Sequence, residues 1–160
     1  MTASVFIGVS VDGFIARPNG DLDFLPAGGG EPHGYDEFIA SVDALVIGRN
    51  TFETVLNFAV WPYGNKRVVV LSSRPVDLSA GRGGVVEQMA GPPAEIVAKL
   101  AATGAHHLYI DGGVTIQRFL RAGLIQRAGA HWSRNPSLRH PAARSAAPAR
   151  GDAALSERPG

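Results

Sequence analysis

Cysteine is absent from this chain of 160 residues. Disulfides and thiolate metal sites are therefore excluded, and cysteine usage says nothing about redox compartment. Long apolar runs are missing too, and none reaches the length of a membrane-spanning helix. The N-terminus shows no basic segment followed by an apolar one, so no signal peptide is expected and a cytoplasmic location is the default. The formal net charge is only +1, which argues against strongly charged partners, nucleic acid and membrane surfaces among them. The P-loop pattern ending in Gly-Lys-Ser/Thr is also lacking, which weakens a kinase or ATPase reading.

What remains is ordinary globular material. Hydrophobic residues make up 45% and charged residues 18%, and the length suffices for one domain with a real core. The stretch Ala44-Leu45-Val46-Ile47-Gly48-Arg49-Asn50-Thr51-Phe52-Glu53 organises the rest. Four unbroken apolar residues predict a strand buried on both faces, as in a sheet covered by helices. Gly48 allows a tight turn or a close ligand. Asn50 or Thr51 is expected to cap a helix of about residues 50–57, with Glu53 in its first turn. Free N–H groups at such a helix start bind anions, and Arg49 adds a positive charge. The stretch reads either as a phosphate site or as a plain strand-to-helix joint.

In chain order, Ser4 to Val11 reads as a first strand, closed by Asp12-Gly13. Asp12 either lines a pocket at the strand end or bonds its own backbone in a turn. Pro18-Asn19-Gly20-Asp21 marks a turn, and the glycines and prolines through Gly34 predict a mobile loop that orders over a ligand. Tyr35, Phe38, Ile39 and Val42 share one helical face. Lys66 to Ser73 holds a second buried strand, ended by Ser72-Ser73-Arg74. Val85 to Met89 reads as a short strand. Pro92-Pro93 opens a helix with Ile96, Val97 and Leu100 inward. His106 to Ile110 is a third central strand. Adjacent histidines point to opposite strand faces, so a shared metal is rejected. Asp111-Gly112-Gly113 follows, then a helix from Val114 to Ala122 with Ile116, Phe119 and Leu120 inward.

Strands alternating with helices argue for an α/β fold, a mostly parallel central sheet flanked by helices. Ligands of such sheets sit beyond the carboxyl ends of the strands. Three of these ends carry Gly48-Arg49, Ser72-Ser73-Arg74 and Gly112-Gly113, a polyanion-binding chemistry that suits a nucleotide.

The set Ser10-Val11-Asp12-Gly13-Phe14-Ile15-Ala16, Gly48-Arg49-Asn50-Thr51-Phe52-Glu53, Leu71-Ser72-Ser73-Arg74 and Asp111-Gly112-Gly113 resembles dihydrofolate-reductase-like proteins. It is most similar to the reductase domain of riboflavin-biosynthesis deaminase-reductases, over residues 4 to 125. The resemblance implies a dihydrofolate-reductase-like fold and an NADPH-dependent reductase of a small heterocyclic substrate, a pteridine or a ribosylamino- or ribitylamino-pyrimidine. It implies that Gly48, Arg49, Asn50 and Thr51 hold the cofactor phosphates and that Ser72, Ser73 and Arg74 face the adenosine 2′-phosphate. Gly112, Gly113, Val114 and Thr115 would meet the pyrophosphate, Ala16 and Gly20 would border the nicotinamide, and Asp12 would lie by the substrate as a candidate proton donor. A non-catalytic nucleotide-binding protein or inactive truncated homologue is the alternative, and a homodimer is left open.

The composition shifts at residue 126. Residues 1–125 hold 9 Lys+Arg against 12 Asp+Glu, whereas residues 126–160 hold 6 arginines against 2 acids. Those last 35 residues contain nine alanines and four prolines, with only Trp132, Leu138 and Leu155 as large apolar groups. Such a segment buries too little surface to offset its ordering entropy, so an irregular tail is expected from 126 on, with the terminal strands missing. A reading-frame shift near codon 126 accounts for this composition. A basic arm for nucleic acid is the less economical alternative.

Overall fold

The computed structural model describes residues 1–9 and 34–132, with side chains for 1–7 and 34–129. The expected loop after Pro18 and the positions Asp12, Ala16 and Gly20 lie outside the described residues, as does everything after Trp132.

The elements run β1 (Thr2–Val9), α1 (Tyr35–Ser41), β2 (Ala44–Gly48), α2 (Arg49–Leu56), β3 (Arg67–Leu71), β4 (Val86–Met89), α3 (Pro93–Ala102), β5 (His107–Asp111), α4 (Gly113–Arg121) and β6 (Arg127–Trp132). The six strands form one sheet in the order β4-β3-β2-β5-β1-β6. Every pairing is parallel. A parallel sheet has helices on both faces, which is why β2 and β3 are apolar without alternation. Ala44, Leu45, Val46 and Ile47 are all fully buried.

The two faces divide by side-chain parity. Ala44 and Val46 join Val69, Leu108 and Ile110 beneath Ile96 and Leu100 of α3 and Ile116 and Phe119 of α4. Leu45 and Ile47 join Val68, Val70 and Tyr109 beneath Phe52 and Val55 of α2, with Phe38 and Ile39 of α1 packed alongside. Each such aliphatic or aromatic side chain contributes on the order of 1.5–3 kcal/mol on burial. Helix α1 ends where the Lys66 ammonium donates to the carbonyls of Ala40 (3.1 Å) and Val42 (2.7 Å). A cation at a helix C-terminus satisfies carbonyls that have no partner within the helix.

Three expectations are corrected. Helix α2 begins at Arg49 rather than residue 50, its N-cap is Gly48, and neither Asn50 nor Thr51 caps it. Gly48 is extended (φ −80°, ψ 163°), so the chain passes from strand to helix with no intervening residue. In α4, Leu120 is 55% exposed and Thr115 is buried instead, because the helix turns its Thr115-Ile116-Phe119 side to the sheet.

The third correction concerns the boundary at residue 126. Arg127–Trp132 is a strand, paired with β1 from Ser4↔Arg127 to Val9↔Trp132. Ladder bonds come from the backbone, so a sequence poor in β-formers can still pair if its side chains fit. Gln126 fastens the start of β6. Its side-chain oxygen accepts the Ala3 N–H at 2.6 Å, and its own N–H reaches the Ala3 carbonyl at 2.9 Å. Gly129 then fits against the Phe6 ring, where a Cβ would stand 3.1 Å from a ring carbon.

Candidate functional site

Strand order places three carboxyl ends side by side. Gly48 closes the central β2, paired with Leu71 of β3 on one side, and Ile47 pairs with Asp111 of β5 on the other. The turn Ser72-Ser73-Arg74 and the helix starts at Gly48–Thr51 and Gly112–Thr115 therefore leave three consecutive strands at the same end. Helices α2 and α4 lie on opposite faces of the sheet, yet both start here.

Their starts interlock. A Cβ on Gly48 would stand 2.9 Å from Thr115 Oγ1, and one on Gly112 would collide with Thr51 Oγ1. Each threonine is three residues into its own helix and faces the glycine that opens the other. Gly112 has φ +89°, a conformation costly for any residue with a Cβ. Among the described residues no side chain caps either helix, and none accepts from the N–H groups of the two first turns. Two such N-termini meeting at one point make a cradle whose dipoles favour negative charge. Val114, 73% exposed, leaves the α4 start open to solvent.

Charge is arranged around this cradle. Arg49 Nε donates to Glu53 Oε1 at 2.7 Å across one helical turn, an exposed ion pair that partly offsets the arginine's charge. Arg74 is exposed, and the turn beneath it is knit locally. Ser72 Oγ accepts the Arg74 N–H (3.2 Å) and donates to the Arg74 carbonyl (2.7 Å).

By sequence, Asp111 is only the close of a strand and part of the Asp111-Gly112-Gly113 motif, with no role of its own. Its Oδ1 accepts the Gly112 N–H at 2.8 Å, and its Oδ2 accepts the Tyr63 hydroxyl at 2.9 Å. Part of the residue reaches the surface, but the carboxylate is enclosed by protein atoms. Burial pushes its pKa up, against the opposing pull of the two donated hydrogen bonds. Burial, together with the Asp111 charge, raises the phenols of Tyr63, Tyr35 and Tyr109 above their ordinary range. Tyr63 thus stays a neutral donor, and Asp111 fixes the left-handed Gly112 from below. The sequence signal was a carboxylate directly after a buried strand, next to glycine.

His107 belongs elsewhere. Its Nε2 lies 2.7 Å from Ser4 Oγ and its Nδ1 3.0 Å from the Ser41 carbonyl, at the amino end of the sheet. No helix among the described residues is long and apolar enough to cross a membrane.

The fold is that of a dihydrofolate-reductase-like α/β domain. The profile of the RibD C-terminal domain matches residues 2–133, and the chain belongs to that family. It is similar to a solved protein of Shewanella sp. PV-4 whose name places it in riboflavin biosynthesis, with 40% identity and a TM-score of 0.73 over 82% of this chain and 76% of that one. It shares its fold with RibD of Acinetobacter baumannii (14% identity, TM-score 0.61), covering 82% of this chain and 45% of that one. Among curated proteins it is similar to the uncharacterized protein YwjB of Bacillus subtilis (strain 168), 38% identical over 73 residues. That match spans 44% of this chain and 42% of YwjB, under half the length of the relative.

Proposed function

We propose that this chain is an NADPH-dependent reductase acting on a small heterocyclic substrate, a pteridine or a ribosylamino- or ribitylamino-pyrimidine. The observation that carries the reading is the interlocked pair of helix starts between Gly48 and Gly112, flanked by Arg74 in the turn that follows the neighbouring strand β3. A Cβ at either glycine would run into the threonine of the other helix start, and helix-start N–H groups that no side chain among the described residues takes suit a pyrophosphate. The kinship with a riboflavin-biosynthesis protein of Shewanella supports the substrate class.

On this reading Gly48, Arg49, Asn50 and Thr51 and the backbone of Gly112, Gly113, Val114 and Thr115 hold the pyrophosphate. Ser72, Ser73 and Arg74 meet the 2′-phosphate, for which a guanidinium is the fitting partner. NADPH, when bound, supplies a hydride. The chain's contribution is to hold donor and acceptor in line, which is the main requirement for hydride transfer. Ala16 and Gly20 would border the nicotinamide, and Asp12, or water, would complete the proton inventory.

A second reading, cofactor binding without turnover, is favoured by one observation. After Trp132 the sequence offers only Leu138 and Leu155 as large apolar residues. Loss of NADPH absorbance on adding a candidate pyrimidine or pteridine separates the two. Saturable NADPH binding with no turnover on either class supports the second.

A further inference from the structure

Gln88 lies on β4, the outermost strand at its edge, and pairs with Val70 of β3. Its side chain leaves the ladder and reaches over the end of β3. There Nε2 donates to the carbonyls of Ser72 (3.0 Å) and Arg74 (2.9 Å), while Oε1 accepts the Val76 N–H (3.0 Å). One half-buried amide thus meets three backbone groups of a turn that has no secondary structure. Two carbonyls and one N–H accept only one orientation of the amide, which carries two N–H donors and an oxygen acceptor on one planar group. Among the described residues the only other inter-strand tie of this turn is the Ser72 N–H to the Met89 carbonyl at 3.1 Å. Arg74 itself is exposed, and the place where its backbone is held fixes the origin from which its guanidinium reaches.

We propose that Gln88 is a specificity-determining residue. By clamping the Ser72–Val76 turn it fixes the origin of Arg74, and so sets the preference for a dinucleotide that carries a 2′-phosphate. Gln88 is a positioning residue and acts through Arg74. This inference rests on the NADPH reading above.

The test is a set of NADPH and NADH binding titrations on the full chain, for the wild type, Arg74→Ala, Gln88→Glu, Gln88→Met and the double variant Arg74→Ala/Gln88→Met. Glu would set a carboxylate against two carbonyls, and Met keeps the length without any hydrogen bond. Both Gln88 variants are expected to lose about tenfold in NADPH-over-NADH preference, the scale of one or two net hydrogen bonds. The double variant is expected to lose little more than Arg74→Ala alone, since the two changes remove one interaction. Thermal unfolding shows whether each variant is folded, and if Gln88→Glu is not, Gln88→Met carries the test. If Arg74→Ala selectively weakens NADPH while folded Gln88→Met keeps the wild-type preference, or loses both cofactors equally, the role of Gln88 is overturned and the cofactor reading stands. If Arg74→Ala weakens both cofactors equally, Arg74 does not read the 2′-phosphate, and the role of Gln88 falls with it.

Discussion

Thr115 Oγ1 occupies the space 2.9 Å from where a Cβ on Gly48 would stand, and Thr51 closes on Gly112 in the same way. Neither threonine can step aside easily. Thr115 is buried at 4% exposure, and helix χ1 rotamers are few. Gly48→Ala is therefore expected to destabilise the fold by about 1–3 kcal/mol through overpacking. It should also weaken NADPH binding. Adding Thr115→Ala should return part of the lost stability, because it removes the atom in the way. Thermal melts of the single and double variants decide it, and strict additivity would show that the contact carries no strain.

Asp111 gives a pH signature. Burial raises its folded pKa above the ordinary value of 3.8, so between those two pH values the folded state holds more protons than the unfolded one. By linkage, its contribution to stability is greatest at low pH and declines as pH rises from about 4 through the folded pKa. Asp111→Asn should abolish that decline. It should also cost about 1–3 kcal/mol, since an Asn amide cannot accept from both Tyr63 and Gly112. Denaturant titrations across pH 4 to 8 on both proteins provide the check. Parallel pH curves would remove Asp111 as the source.

Glu53 competes for Arg49. If Arg49 serves a cofactor phosphate, then Glu53→Gln frees it, and NADPH should bind about two- to fivefold tighter at low salt, the scale of an exposed pair. The gain should shrink as ionic strength rises. Weaker binding of NADPH to Glu53→Gln would instead make the ion pair part of the cradle.

The core was legible and the clamps were not. Ala44–Ile47 and Val68–Leu71 read as doubly buried strands because an unbroken apolar run has one comfortable home in an α/β fold. The three strand ends were legible as a group because glycine, serine and arginine stand directly after those runs. Leu120 was misplaced because its spacing fits the apolar stripe, and only packing shows that the helix rolls Thr115 inward. Tyr63 and Asp111 meet across 48 residues, and Gln88 serves a turn 12 to 16 residues away. Such bonds leave no period in the chain. Strand β6 was missed for a related reason, since Arg127–Trp132 pairs through backbone that composition does not report.

That composition has its own consequence. β6 offers Ala128 and Gly129 where β2 offers Leu45 and Val46, so it has little side-chain packing to hold it. Amide exchange at Ala128 and Gly129 should be faster than at Leu45 and Val46 by at least about a hundredfold. Equal protection of β6 and β2 would contradict this expectation.

On the proposed reading the cradle between Gly48 and Gly112, with Arg74 beside it, holds a 2′-phosphorylated nicotinamide dinucleotide. The most direct measurement is a calorimetric titration of the full chain with NADPH, NADH and ATP at one ionic strength. Saturable binding is expected for NADPH at one site per chain, at least about tenfold tighter than NADH, as one added charge-assisted contact implies. ATP should bind more weakly than either. Equal affinity for NADPH and NADH, or ATP binding tighter than both, would contradict the assignment.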